Sequence, residues 1–184
     1  MAALMRLVGA VMVLVGLGLV ALFFVGPPGG TAGNLPTGAA AGPTDAPADG
    51  TLYLTVPKIG LEDVTVHTSL SEEDLDDSTI HLPDTGFPWQ SGANTYIAGH
   101  RMGYFGTGSF LVFYRLNELA RGDEITLEDT AGGRYTYRII ESLVVGPEDT
   151  QVTEPVPGKS IVSLQTCTLP DYSDRLIVRG ELVA

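Results

Sequence analysis

The chain has 184 residues, enough for one ordinary domain with extensions. All 22 of its acidic residues, and nine of its ten lysines and arginines, lie after residue 26, which leaves that part at a net −13. Such a surface keeps an exposed domain soluble and repels polyanions, so nucleic acid and anionic lipid head groups are discounted as partners.

Residues 7–25 form a run of 19 without charge or proline. As a helix this run would be about 28 Å long, close to the hydrocarbon thickness of a bilayer. Arg6 and the α-amino group are the only positive charges before it, and no Lys or Arg follows until Lys58. That bias places the N-terminus inside and the remainder outside the membrane. A cleaved signal peptide would carry a shorter apolar run and a small-x-small site, and Val25-Gly26-Pro27-Pro28 makes a poor one. The expectation is an uncleaved single-pass anchor over residues 1–26.

Residues 27–50 are a linker: 17 of the 24 are Pro, Gly or Ala, and Leu35 is the one large apolar residue. Such a segment buries too little surface to offset its ordering entropy. As a flexible coil it would span about 25–30 Å, tethering the next domain near the membrane.

Residues 51–184 carry strand signals. Leu52, Leu54 and Val56 alternate with polar partners, and Tyr135, Tyr137 and Ile139 alternate with Arg134, Thr136 and Arg138. Further strands are expected over 63–67, 95–100, 123–128, 160–167 and 175–182. Ser71-Glu72-Glu73-Asp74 predicts a helix start with a capping box, and 111–119 a helical turn or two. Many short strands with few helices point to a closed or nearly closed β-barrel.

Cys167 is the one cysteine, so an internal disulfide is impossible, and the thiol is either buried and inert or kept for reactivity. Alternation along 160–167 groups Cys167 with Ser163 and Gln165, opposite Val162, Leu164 and Thr166. In the following strand Arg175 shares a face with Arg179 and Glu181. If the two strands pair, Cys167 and Arg175 look out of the barrel on the same side. A thiol with a free pKa near ~8.5 needs a neighbouring cation or base to react quickly at neutral pH. Arg175 and one of three histidines are the candidates. His67 lies at a strand end on a polar face, and His81 has no obvious partner. His100 ends a strand and enters the Gly-rich loop 101–108, which suits the rim of an active site. Residue reasoning prefers His100 and leaves the other two open. The acidic run 72–77 lacks the alternating ligands and glycine of a calcium loop and is expected to be a solvated helix face.

"LQTC" at 164–167, followed after seven residues by Arg175 in "CTLPDYSDRLIVRGEL", resembles the signature of sortases, the membrane-anchored cysteine transpeptidases of Gram-positive bacteria. "YIAGHR" at 96–101 is similar to their histidine segment, and "VPKIG" at 56–60 to the start of their catalytic domain. The resemblance covers essentially all of 51–184, and the anchor and linker fit the same layout. The usual pattern reads TLxTC, and Ser163 takes its first position here. The loop after His100 looks most like that of class E sortases. The resemblance implies a closed eight-stranded sortase barrel with short helices. It also implies that Cys167 attacks the Thr carbonyl of a Thr–Gly bond in an LPxTG-like or LAxTG-like sorting signal. His100 would act as acid and base, and Arg175 would stabilise the oxyanion. The partners would be secreted proteins bearing the signal and an amine of a peptidoglycan precursor, and no cofactor would be needed.

An L,D-transpeptidase is the enzymatic alternative, but its SHGC pattern is absent because Gln165 and Thr166 precede Cys167. The non-enzymatic alternative is a membrane-tethered β-domain with an inert thiol. Leu82-Pro83-Asp84-Thr85-Gly86 itself fits LPxTG. A sorting tag stands near a C-terminus before an apolar span and a basic tail, so this copy is expected to be a turn made by Pro83, Gly86 and their neighbours.

Overall fold

A computed structural model describes residue 47 and residues 49–184. The expected anchor over 1–26 and most of the linker over 27–50 lie outside the described residues. Among the described residues no helix is long and apolar enough to cross a membrane.

Eight strands form: β1 (Leu52–Val56), β2 (Leu61–Thr68), β3 (Thr79–His81), β4 (Asn94–Gly99), β5 (Glu124–Asp129), β6 (Arg134–Val145), β7 (Ile161–Cys167) and β8 (Arg175–Leu182). They close into a barrel in the order β1-β2-β3-β4-β7-β8-β6-β5, with β5 pairing back onto β1. The β2–β3 and β4–β7 pairs are parallel and the rest antiparallel. Closure removes the open edges that an isolated sheet would expose. β3 carried no sequence signal, because three residues are too few to show a period.

Alternation sets the core. Leu52, Leu54 and Val56 of β1 point inward with Val66, Ile97, Ile125, Leu127, Val162, Leu164 and Val178. Each fully buried aliphatic side chain contributes roughly 1.5–3 kcal/mol relative to exposure. Phe113 and Leu116, fully buried, extend this core from the loop after β4. That loop is a series of turns, and of the helical turn or two expected over 111–119 it forms one short 3₁₀ segment, Leu116–Glu118.

β6 shows how one strand serves two faces. Tyr135, Tyr137 and Ile139 face the core. A register shift between Ile139 and Glu141 then inserts one residue, and beyond it Leu143 and Val145 pack outside the barrel. There they meet Tyr96, Ile177, Val152 and Leu82 in a second apolar cluster.

The helix expected from Ser71 is α1 (Glu72–Asp77), in the crossover between parallel β2 and β3. Ser71 Oγ accepts from Glu73 N at 3.1 Å, as an N-cap should. The reciprocal half of the capping box is replaced: the Ser71 amide donates to Ser69 Oγ at 2.9 Å.

The Leu82–Gly86 segment is a turn. The Thr85 amide and hydroxyl both donate to Leu82 O, at 3.0 and 2.7 Å. His81, expected to lack a partner, is fully buried beneath this turn. Its Nε2 lies 3.1 Å from Thr85 Oγ1 and 3.2 Å from Gly86 O, and its Nδ1 lies 3.2 Å from Thr68 Oγ1. Gly86 is required, since a Cβ there would come within 2.5 Å of Ala93 Cβ.

Burial holds the His81 imidazole below its ordinary pKa, against the raising effect of the Gly86 carbonyl. The unfolded chain therefore binds a proton that the folded domain does not. This contribution to stability is complete above pH 6.5, the ordinary value, and is lost as pH falls through the depressed folded value. His81→Gln is expected to lower Tm at neutral pH, at a cost of about 1–3 kcal/mol for the lost buried hydrogen bonds. It should also flatten the decline of Tm below pH 6.5. Thermal unfolding across that range checks this, and an unchanged acid slope in the variant would contradict it.

Candidate active site

Cys167 and Arg175 stand directly opposite each other in the antiparallel β7–β8 ladder, and both are partly exposed. Val162 and Leu164 point into the core and Thr166 is buried, while Gln165 and Cys167 face outward. The parallel β4–β7 ladder pairs Ala98 with Gln165. Two residues beyond that pair come His100 and Cys167, so these leave neighbouring strand ends on the same side of the barrel. The fold thus brings His100, Cys167 and Arg175 to one end of a three-strand outer face.

The loop joining β7 to β8 is internally bonded. Thr168 N donates to Asp174 O at 3.0 Å, and Asp174 N to Thr168 Oγ1 at 3.2 Å. Arg175 Nη1 donates to the carbonyl oxygens of Tyr172 and Asp174, both at 3.2 Å. That fixes the guanidinium by one nitrogen and leaves its other N–H groups available for a ligand.

His100 follows Gly99, where a Cβ would lie 2.6 Å from the Phe113 ring. The Phe113 amide donates to His100 O at 3.2 Å. Gly103 turns the next loop at φ 61°, and a Cβ there would strike Ser109 O. Arg101 is buried, with Nη2 donating to Asn117 Oδ1 at 2.6 Å and its guanidinium 5.9 Å from the Tyr114 ring centroid. It therefore anchors the loop. The imidazole of His100 meets the Tyr104 ring edge-on at 5.6 Å, and its Nε2 lies 2.9 Å from Asp76 Oδ1 of α1. The acidic run is thus not wholly a solvated face. Asp76 pairs with His100, and Asp77 Oδ2 lies 3.5 Å from Nε2 of His67. The other two histidines stand apart from the thiol, since His81 is buried in the turn and His67 faces α1.

Beyond the three candidate residues the outer face continues into a cleft of about 170 Å³, lined by Leu82, Tyr96, Val145, Val152, Gln165 and Arg175 among others. Burial pushes the Tyr96 phenol well above its ordinary pKa, opposed by Arg179 and Arg175. It is therefore a donor, and it bonds Gln165 Oε1 at 2.6 Å. One wall is the β6–β7 loop, tied down by buried Asn94. Asn94 Nδ2 donates to Val152 O and Glu154 O, both at 3.0 Å, and its Oδ1 accepts from Ser163 Oγ at 2.8 Å. The roles of Asp76, Tyr96, Gln165 and Asn94 were not read from the sequence. The alternation that groups Gln165 with Cys167 was the one signal available for any of them.

A family model described as the sortase domain matches residues 54–183. Sortase A of Streptococcus agalactiae is 37% identical over 92 residues, which are 50% of this chain and 37% of that protein. Sortase D of Bacillus subtilis is 29% identical over 134 residues, 71% of this chain and 62% of the relative. Among solved structures, sortase A from Corynebacterium diphtheriae superposes with a TM-score of 0.65 at 26% identity, covering 73% of this chain and 60% of that one. Sortase C1 from S. agalactiae superposes with a TM-score of 0.64 at 30% identity, covering 72% and 66%. The chain belongs to the sortase family, and it spans less than two thirds of the length of these two curated relatives.

Because the Gly99 Cα packs under Phe113, Gly99→Ala is expected to destabilise the domain by about 1–3 kcal/mol through overpacking. Urea unfolding checks this, and wild-type stability would contradict the close approach.

Proposed function

We propose that this protein is a cysteine transpeptidase. It cleaves the Thr–Gly bond of an LPxTG-like or LAxTG-like sorting signal and transfers the acyl group to an amine, as on a peptidoglycan precursor. The observation that carries the reading is the pairing of an outward-facing Cys167 with Arg175 across β7–β8, with His100 on the adjoining strand end.

The chemistry follows from these three groups. Cys167 Sγ attacks the Thr carbonyl carbon, and the C=O pair moves onto oxygen. Free N–H donors of Arg175 stabilise that oxyanion. Collapse breaks the C–N bond, and His100 as imidazolium gives its proton to the departing Gly amine. A thioester on Cys167 remains. The incoming amine then attacks the thioester, loses a proton to His100, and expels the thiolate. The cleft lined by Leu82, Tyr96, Gln165 and Arg175 fits the part of the signal that precedes Thr. Its aromatic and apolar walls suit the Leu and Pro or Ala of the tag. The Leu82–Gly86 copy is no substrate here, because the Thr85 hydroxyl and the Gly86 carbonyl that flank its Thr–Gly bond are held by His81 and the carbonyl of Leu82. We assign residues 1–26 the role of a single-pass anchor with a cytoplasmic N-terminus, which places the barrel outside the cell membrane.

A fragment beginning at Asp49, which keeps the Gly50–Thr68 contact, is expected to cleave a sorting-signal peptide between Thr and Gly. Cys167→Ala should abolish the cleavage, and unchanged cleavage would falsify the assignment. Arg175→Lys should lose most of the activity, because a point charge cannot reproduce the planar donor fork. Wild-type turnover in that variant would restrict Arg175 to a role in the fold. Both are read by chromatography of the cleaved peptide.

A further inference from the structure

We infer that Asp76 is a positioning residue for His100. Its carboxylate holds the Nε2 edge of the imidazole, so that Nδ1 is the nitrogen presented to the reacting groups. This rests on the reading of His100 as the acid and base of the transfer.

The donor assignment is forced by chemistry. An ionised carboxylate only accepts, so at 2.9 Å the proton between His100 Nε2 and Asp76 Oδ1 resides on the ring nitrogen. With Nε2–H committed, the neutral ring carries its lone pair on Nδ1. In the imidazolium form Nδ1 carries the second proton, gives it to the departing amine and regains one from the incoming amine. Nε2 keeps its hydrogen and its partner throughout both steps.

The second argument is rigidity. A carboxylate orients a ring only if it is itself fixed, and α1 is pinned at both ends. Ser71 caps its start. At its end the hydroxyls of Ser78 and Thr79 both donate to Thr65 O of β2, at 2.8 and 2.9 Å. Asp76 thus sits two residues from a double anchor on the barrel wall. The loop that follows His100 is seated on the same helix end, where a Cβ on Gly108 would come within 2.8 Å of Asp77 O. Tyr104, from that loop, meets the ring edge-on. One side of the ring is therefore set by an aromatic edge and its Nε2 by a carboxylate, both tied to α1.

The neighbouring pair makes the contrast. Asp77 reaches only to 3.5 Å from His67 Nε2, a nitrogen that is buried without a hydrogen-bond partner. Two adjacent carboxylates on one turn thus serve two histidines, and only Asp76 makes a short, directional bond. Asp77 is the built-in control.

The test uses the full-length chain in detergent micelles, labelled with ¹⁵N-histidine, together with sorting-signal peptide kinetics. In the wild type, two-bond ¹H–¹⁵N correlations at alkaline pH should show His100 as a single Nε2–H tautomer. In Asp76→Ala these signals should move toward the averaged pattern of a solvent-exposed histidine. The His100 and Asp76 side chains are 31% and 45% exposed, so the expected loss in kcat is about fivefold, the most that such a pair is worth. KM should stay within about twofold, because the bond acts on the acid and base and not on peptide binding. Asp76→Asn, which keeps an acceptor oxygen, should recover part of the kcat. Asp77→Ala should match the wild type in turnover and in the His100 signals. Unaltered kcat, unaltered His100 signals, a change confined to KM, or an equal loss in Asp77→Ala would each overturn the inference. The spectra report the pairing even if the wild type cleaves no peptide, so failure of the transpeptidase reading is recognised separately.

Discussion

The parallel pairing of β4 with β7, continued into the antiparallel β7–β8 ladder, is the constraint on which the site depends. Parallel neighbours cannot be joined by a hairpin, so the chain must leave β4, build other structure and return. Here it builds the loop after His100, then β5 and β6, before β7 arrives beside β4. The detour sends His100 and Cys167 off adjacent strand ends. The short β7–β8 connection then places Arg175 across from the thiol. Closure of the barrel makes this arrangement stiff, since each strand has a neighbour on both sides. Inward alternation gives the core, and outward alternation gives Cys167 and Arg175 their exposure.

The outer face would be only a flat sheet without the segments that wall it. The bulge in β6 turns Leu143 and Val145 outward, and together with Tyr96 and Ile177 they seat the β6–β7 loop. Asn94 then binds two carbonyls of that loop and a hydroxyl of β7. A buried amide with donors and acceptor all satisfied is a specific staple, because a half-satisfied one would be costly. On the other side α1 and the loop after His100 close around the imidazole. Groove and His100 ring are thus set by different connections of the same barrel.

Much of this was legible in the sequence, for a definable reason. Strand alternation in 160–167 and 175–182 told which side chains face out, and register needed only the pairing of two neighbouring strands. The turn at Leu82–Gly86 was legible because Pro and Gly act locally. What escaped notice was non-local or short. β3 is too brief to show a period, and His81 looked partnerless because its contacts come from β2 and from a turn folded back over it. Asp76 looked like one more charge on a solvated helix. Only the crossover from β2 to β3 carries it to the ring of His100. The helical signal over 111–119 is met by a single 3₁₀ turn, Leu116–Glu118, beside Phe113 and Leu116, which are buried in the core.

In the proposed reaction a thioester forms on Cys167 at the meeting of these three strands. The direct measurement is intact mass spectrometry of the protein mixed with a sorting-signal peptide and quenched in acid, followed by digestion to locate the adduct. The expected result is a mass gain equal to the acyl part of the peptide up to its Thr, on the fragment containing Cys167, and released by hydroxylamine. An adduct on another residue, or peptide cleavage with no adduct under conditions where the acceptor amine is absent, would contradict it.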